Sequence, residues 1–339
     1  MTVLAWILAW IASNALALFL AVVLDALFGE PDWLWKRVPH PVVLLGRFIG
    51  WQDRRLNLEN KPDWRRRQAG IVMLIRLLFI VAFFTVLPLM VLWSLHPVLA
   101  VFFQVMVGAV FLAQRSLYDH VAAVAAPLES GDLPAARTAL SMIVGRRTDG
   151  LDEEAISRAA LESLAENHAD GVIAPAFWFL LGGAPGIALY KAINTADSMV
   201  GYKTERHRAF GWASARLDDA VNLAPARLAV GLVALGVLAA KLLRYPVALR
   251  YPKLAMIGVD ARTHASPNAG WPEAAYASAL GIALGGPRTY RDHTVDAPFI
   301  NAGGRRALGA RDIRAGLSLF QATCGVTGVV VLIIAMLGL

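Results

Sequence analysis

The sequence is short of cysteine, of charge and of the common catalytic signatures. One cysteine, Cys324, serves 339 residues, which excludes an intrachain disulfide and a cysteine-based metal cluster. Charged residues make up 17% of the chain against 57% hydrophobic, far from the balance of a soluble globular domain. There is no G-x-x-x-x-G-K-[S/T] loop, no G-x-G-x-x-G and no H-E-x-x-H. Phosphate-loop, dinucleotide-fold and zincin chemistries therefore have no anchor, and no spacing of Ser, His and Asp supports nucleophilic catalysis. Internal repeats and low-complexity tracts are absent as well. Acidic residues are outnumbered, 25 against 32 basic ones, for a formal charge of +7. Two readings of that excess are compatible with each other: a charge bias of loops on one membrane face, and a basic cleft for phosphate or polyacid ligands. No nucleic-acid partner is implied.

What the chain has is long apolar runs. Mean hydropathy is +0.54, and the fold class expected is an all-α integral membrane protein. It would be a polytopic helical bundle with large cytoplasmic helical loops, forming a single membrane-embedded domain over 1–339. Spans are expected near 3–24, 77–95, 96–114 and 315–339. No basic residue precedes the first, so a span is favoured over a cleaved leader. Ten Lys and Arg crowd residues 25–76, which places that segment in the cytoplasm by the positive-inside rule. Residues 171–190 and 226–242 are further span or re-entrant candidates. In the former, Pro175, Gly182, Gly183 and Pro185 interrupt the helix, and irregular backbone at membrane depth is tolerated where it lines a cavity. Asp132 is an expected helix cap, and Asp152, Glu153 and Glu154 are expected as an acidic first turn that suits the helix dipole.

The stretch from Arg146 to Asn222 gathers most of the groups able to do chemistry. Glu162, Glu166 and Asp170 recur at i, i+4 and i+8, so at least the first two share a helical face. Three carboxylates so close need a cation or a basic partner, and Mg²⁺ prefers such hard oxygen ligands; a solvated acidic face is the plainer alternative. Asn194 and Asp197, then Asp218, Asp219 and Asn222, repeat the theme beside apolar segments, where ionisable groups pair or serve a function. Among them lie Lys203, Arg206, Arg208 and Arg216, with Arg146 and Arg147 upstream, whose cations suit phosphate oxygens. Metal-binding acids interleaved with cations are what a Mg²⁺–nucleotide site requires. His40, in Pro39–His40–Pro41, and His264 stand out, although a lone histidine is more often structural. The turn-rich loop Ser266–Glu273, with Asn268, Trp271 and Glu273, either caps a planar ligand or packs its indole as an ordinary turn.

Taken in order, LDALFGEPDW, PHPVVLLGRFIG, GRRTDGLDE, ESLAENHADGVIAPAFW, YKAINTADSMVGYKTERHRAFGWASARLDDAVNLAPARL and DARTHASPNAGWPEAA resemble the CobD/CbiB family, the adenosylcobinamide-phosphate synthases of cobalamin biosynthesis. Family patterns carry Thr or Ser at the place of His168. The resemblance implies an inner-membrane enzyme with a cytoplasmic active site. Such an enzyme joins adenosylcobyric acid to (R)-1-amino-2-propanol O-phosphate through an amide bond, using ATP and Mg²⁺. It implies a corrinoid and an aminoalcohol phosphate as partners, contact with membrane lipid, and an association with other late pathway enzymes or with a second copy. On this reading the Mg²⁺ ligands come from Glu162, Glu166, Asp170, Asn194, Asp197, Asp218 and Asp219. Glu166, Asp197, Asp219 and Arg216 are the catalytic candidates. Arg146, Lys203, Arg206 and Arg208 would hold phosphates, and His40, Asn268, Trp271 and Glu273 would touch the corrinoid or amine. Two rival readings are a Mg²⁺-dependent membrane transferase acting on a diphosphate and a membrane signalling protein of the AmpE type.

Overall fold

The computed structural model describes residues 3–289, 294–295 and 297–338. Helices dominate it. They are α1 (Val3–Phe28), α2 (Asp32–Trp35), α3 (Pro41–Leu56), α4 (Asp63–Leu95), α5 (Pro97–Phe111), α6 (Gln114–Glu129) and α7 (Leu133–Ser141), followed by α8 (Glu153–His168). A π-helical turn, Ala169–Ile173, joins α8 to α9 (Ala174–Val200). Then come α10 (Trp212–Leu242), α11 (Leu254–Ala261), α12 (Gly270–Leu280) and α13 (Ala310–Leu337). Among the described residues strand is confined to two-residue pieces, β1 (Leu284–Gly285) paired antiparallel with β4 (Phe299–Ile300), and β2 (Arg288–Thr289) with β3 (Thr294–Val295).

Among the described residues six helical stretches are long and apolar enough to cross a membrane: Ala9–Phe28, Asp63–Leu95, Pro97–Glu129, Glu153–Val200, Trp212–Leu242 and Ala310–Leu337. The protein is an all-α, polytopic membrane protein. The helices outrun the apolar windows of the sequence, because good helix formers continue the backbone ladder past the hydrocarbon boundary. Asp132 and Asp152 cap α7 and α8, accepting the Ala135 and Ala155 amides at 3.0 and 2.8 Å.

Contacts divide the chain into two compact units. The first comprises 1–113, 174–222 and 331–339, and the second 114–173 and 223–330. Leu18, Ile49, Met73, Leu77, Phe179 and Phe210 centre the first core. Leu140, Leu161, Leu164, Tyr276 and Phe320 centre the second.

The irregular backbone expected in 171–190 takes two forms. Pro175 has no N–H to offer the carbonyl four residues back, and the π turn ends just before it. Further on, Gly183 adopts φ 59° and ψ −150°, a break within α9. That region of backbone is open essentially to glycine alone. A Cβ there would also lie 2.3 Å from Gln104 Oε1. The groups released by the break are met from neighbouring helices of the same unit. Asn14 Nδ2 donates to the Leu180 carbonyl at 3.1 Å, Trp10 Nε1 to that of Leu181 at 3.0 Å, and the Ala184 amide donates to Gln104 Oε1 at 3.3 Å. At membrane depth each such group would otherwise cost several kcal/mol.

Candidate functional site

In the first unit the end of α9 and the start of α10 carry a polar chain through buried surroundings. Tyr190 donates its hydroxyl hydrogen to Asn222 Oδ1 at 3.0 Å. Asn222 Nδ2 donates to Asp218 Oδ2 at 3.0 Å, and Asn194 Nδ2 to Asp218 Oδ1 at 3.3 Å. Helical spacing of four residues brings Asn222 back over Asp218. Tyr190, Asp218 and Asn222 are all buried. Asp219 and Asp197 are half-buried beside them in sequence, and Asp197 bends toward Gly201, where a Cβ would come within 1.9 Å of its Oδ1. Lys191 is an electrostatic neighbour of Asp218, and Arg216 and Lys203 are neighbours of Asp219. Lys203 and Arg216 are exposed. The arrangement is a fixed carboxylate, two further carboxylates and three cations.

The loop between these helices, 201–211, is stapled down by a second network in the same unit. Asp53 Oδ2 accepts Arg206 Nη2 at 2.8 Å, while its Oδ1 accepts Asn57 Nδ2 at 2.8 Å and lies 3.5 Å from His207 Nε2. Arg66, buried, donates to Asn57 Oδ1 at 2.8 Å and to the Arg206 carbonyl. Gly70 leaves room for the loop, since a Cβ would meet the Phe210 carbonyl oxygen at 1.8 Å. Burial pushes the Asp53 carboxyl up, but the hydrogen bonds from Arg206 and Asn57 outweigh it and hold the carboxyl below its ordinary range. Arg206 also reaches Glu59 at 2.8 Å, and Arg208 reaches Asp63 at 3.1 Å. Arg206 and Arg208, two of the three arginines expected from the sequence to hold phosphates, are thus engaged with carboxylates. His40 caps α3, its Nδ1 accepting the Val42 amide at 3.2 Å, with Trp35 edge-on at 4.5 Å. Desolvation lowers its pKa, and the neutral ring is the form that can accept.

In the second unit Glu162 is buried. Its Oε1 accepts the Gly285 amide at 2.8 Å and its Oε2 pairs with Arg146 at 3.1 Å. Glu166 is exposed and Asp170 is half-buried within the π turn. The i, i+4, i+8 carboxylates therefore differ in environment. Among the described residues no three His, Cys, Asp or Glu side chains converge as a metal cluster. The Ser266–Glu273 loop is braced on two sides. His264 Nδ1 accepts the Ser266 amide at 3.0 Å, and its Nε2 lies 3.5 Å from the buried Glu273 carboxylate. Arg227 donates to Asn268 Oδ1 at 2.9 Å and to the Pro267 carbonyl at 3.3 Å, and its guanidinium lies 4.7 Å from the Trp271 ring centre. His168 is a core group, with Nδ1 2.8 Å from the Tyr276 hydroxyl and Nε2 3.9 Å from Cys324 Sγ. Burial raises the Tyr276 pKa.

The sequence-derived candidates thus fall into two sets. Asn194, Asp197, Lys203, Arg216, Asp218 and Asp219 are in the first unit, as are His40, Arg206 and Arg208. Arg146, Glu162, Glu166, Asp170, Asn268, Trp271 and Glu273 are in the second. Three residues escaped the sequence reading: Lys191, Tyr190 and Arg227. The first two had a signal, since they stand three and four residues before Asn194 on one helix. Arg227 is set apart only by its partners 40 and 41 positions away.

The family described as CobD/Cbib protein matches residues 18–320. A Sinorhizobium protein named cobalamin biosynthesis protein CobD is 48% identical over 95% of this chain and 98% of its own length. A Brucella suis protein of the same name is 47% identical, covering 93% and 95%, and one from Rhodobacter capsulatus is 44% identical, covering 94% and 97%. No solved structure matches the chain. A match spanning most of the chain, joined to near-full-length identity with these relatives, places the protein in the CobD/Cbib family.

Proposed function

We propose that this protein acts in cobalamin biosynthesis as an adenosylcobinamide-phosphate synthase, an ATP- and Mg²⁺-dependent ligase of the inner membrane. It would join adenosylcobyric acid to (R)-1-amino-2-propanol O-phosphate. The observation that carries the reading is the near-full-length similarity to proteins named for that pathway. The acid, amide and cation set around Asp218 supports it from the chemistry.

A carboxylate and an amine do not condense unaided in water. In the proposed route a carboxylate oxygen of the corrinoid attacks the γ-phosphorus of ATP, and ADP leaves. The amine nitrogen then attacks the acyl carbon, phosphate departs, and one proton leaves the nitrogen. Lys191, Lys203 and Arg216 would offset charge on the transferring phosphoryl group. Mg²⁺ takes one or two carboxylates and completes its shell with phosphate oxygens and water, a demand that Asp218 and Asp219 fit without a third acid. When bound, it would neutralise the phosphates. Asn194 and Asn222 hold the Asp218 carboxylate in one orientation, and Tyr190 fixes Asn222 in turn. Asp197 is the proposed proton acceptor. In the second unit, Glu166, Asp170, Asn268 and Trp271 are proposed ligand contacts.

The test is product formation by purified protein given both substrates, ATP and Mg²⁺, followed by mass spectrometry. Amide product that disappears without ATP and in Asp197→Ala is the expected result. Product formed without ATP would overturn the acyl-phosphate route. No product from well-folded protein would overturn the assignment as a self-sufficient ligase.

A further inference from the structure

The helix α3 is amphipathic in an unusual sense. Its inward side carries Ile49 and the polar pair Gln52 and Asp53. Its outward side carries Val43, Leu44 and Trp51 in the helix, with Leu58 just beyond, each 43% to 48% exposed. Positions 43, 44, 47, 51, 54 and 55 form one helical stripe, with the spacing of a 3.6-residue period, and Leu58 follows past the helix end. The remaining members of the stripe are Arg47, Arg54 and Arg55, all exposed. None of these arginines makes an ion pair among the described residues. Arg55 instead lies 5.2 Å from the ring centre of Trp51, and Trp51 stacks on Phe48 at 5.8 Å.

The location of the helix follows from its neighbours in the chain. Candidate spans end at Phe28 and begin at Asp63, so α3 sits in the connection between them, at one membrane face. The flanks repeat the same chemistry. Trp33 is 65% exposed, and Arg65 and Arg67 lie 5.0 and 4.7 Å from the ring centres of Trp64 and Trp212. In bulk water a stripe of valine, leucine and indole would be unfavourable. In the headgroup layer the apolar groups enter the acyl boundary, while arginine stems lie along it and direct their charges to phosphate.

We propose that the outward face of α3 is an interfacial helix seated on anionic phospholipid, with Arg47, Arg54 and Arg55 reading the headgroups. The occupant is the lipid leaflet at that end of the spans, continuous with the lipid around α1 and α4. The charge of the stripe is complementary to anionic lipid and indifferent to zwitterionic lipid. This inference rests on the membrane fold and not on the proposed ligase activity.

The test uses the full chain in nanodiscs of phosphatidylcholine with phosphatidylglycerol. Cys324 is replaced by alanine, and spin labels are placed singly at positions 43 to 58. Labels at 43, 44 and 51 should collide more with oxygen and less with a water-soluble nickel complex, with a helical period along the scan. Water-like collision rates at those three positions would overturn the proposal. So would dipolar broadening between labels, which would put a second copy of the chain on this face. A second measurement is the retention of phosphatidylglycerol over phosphatidylcholine by the purified protein. Each arginine changed to glutamine should lower it by about fivefold, the effect of one basic group at an anionic surface. Unchanged retention in the triple variant R47Q/R54Q/R55Q would overturn the headgroup role.

Discussion

Two buried carboxylates, one in each unit, are satisfied by opposite means. Asp218 receives the neutral amide hydrogens of Asn194 and Asn222. Glu162 receives a guanidinium, that of Arg146, and a backbone amide. Neutral donors orient a carboxylate and leave its charge standing, whereas a guanidinium at 3.1 Å cancels the charge in place. Asp218 thus keeps its charge between neutral amides, while Glu162 ties β1 and the 146 region to α8. Both stand in the sequence as acidic residues on apolar helices, and their partners alone tell them apart.

The comparison can be broken most decisively at Asp218. Its change to asparagine should lower amide formation by a factor of about 10²–10³, the effect of removing one preorganised electrostatic group. Stability in a thermal melt should fall by only about 1–3 kcal/mol, the cost of one asparagine amide donor left facing the new amide group. Equal losses of activity and stability would assign Asp218 to the architecture. Glu162 should behave in the reverse way. Glu162→Ala leaves Arg146 uncompensated and the Gly285 amide unmet, a loss of about 3 kcal/mol in thermal or denaturant unfolding, with Glu162→Gln milder. An unaltered melt in both variants would remove the bracket. A third region carries polar satisfaction with no charge at all. Gly183→Ala forces a side chain into a glycine-only conformation against Gln104 and should cost about 1–3 kcal/mol, measured by the same melts.

The smallest effect is a pH dependence at Asp53. Its carboxyl is held below the ordinary range in the folded protein, because the hydrogen bonds from Arg206 and Asn57 prevail over desolvation. The linked stability is therefore complete above the unfolded carboxylate pKa of about 4 and is lost as pH falls through the lower folded value. The gap in melting temperature between the native protein and Asp53→Asn should narrow on acidification. Arg206 is 38% exposed, so solvent screens the pair and the gap should be modest. A gap that widens toward low pH would contradict the assigned direction.

Local features were legible in the sequence. The all-helical membrane class followed from apolar runs, the Asp132 cap from a side chain able to meet an orphan amide, the start of α8 from the acidic run at Asp152, and the break near Gly183 from adjacent glycines followed by proline. The candidate site was half legible. Asn194 reaches Asp218 from another helix, 24 positions away, but Asn222 stands four residues from Asp218 on the same one, so that association follows from short-range geometry. The pairing of Arg206 with Asp53, 153 positions away, does not. Neither does the Gly285 amide at Glu162, 123 positions away. An arginine awaiting phosphate and one already holding a carboxylate are spelled alike, and only tertiary structure distinguishes them.

The break in α9 bears on how the protein is made. Its exposed carbonyls and amide are met by Trp10 and Asn14 from α1 and Gln104 from α5, all of which leave the ribosome well before Gly183. Chains mature from the N-terminus during synthesis, so the receiving surface is in the bilayer when the interrupted helix arrives. Moving α1 to the C-terminal end by circular permutation would reverse that order. The interrupted helix would then enter lipid with the Leu180 and Leu181 carbonyls unmet, Gln104 alone being in place for the Ala184 amide, and insertion yield would register the difference even where the finished protein is equally stable.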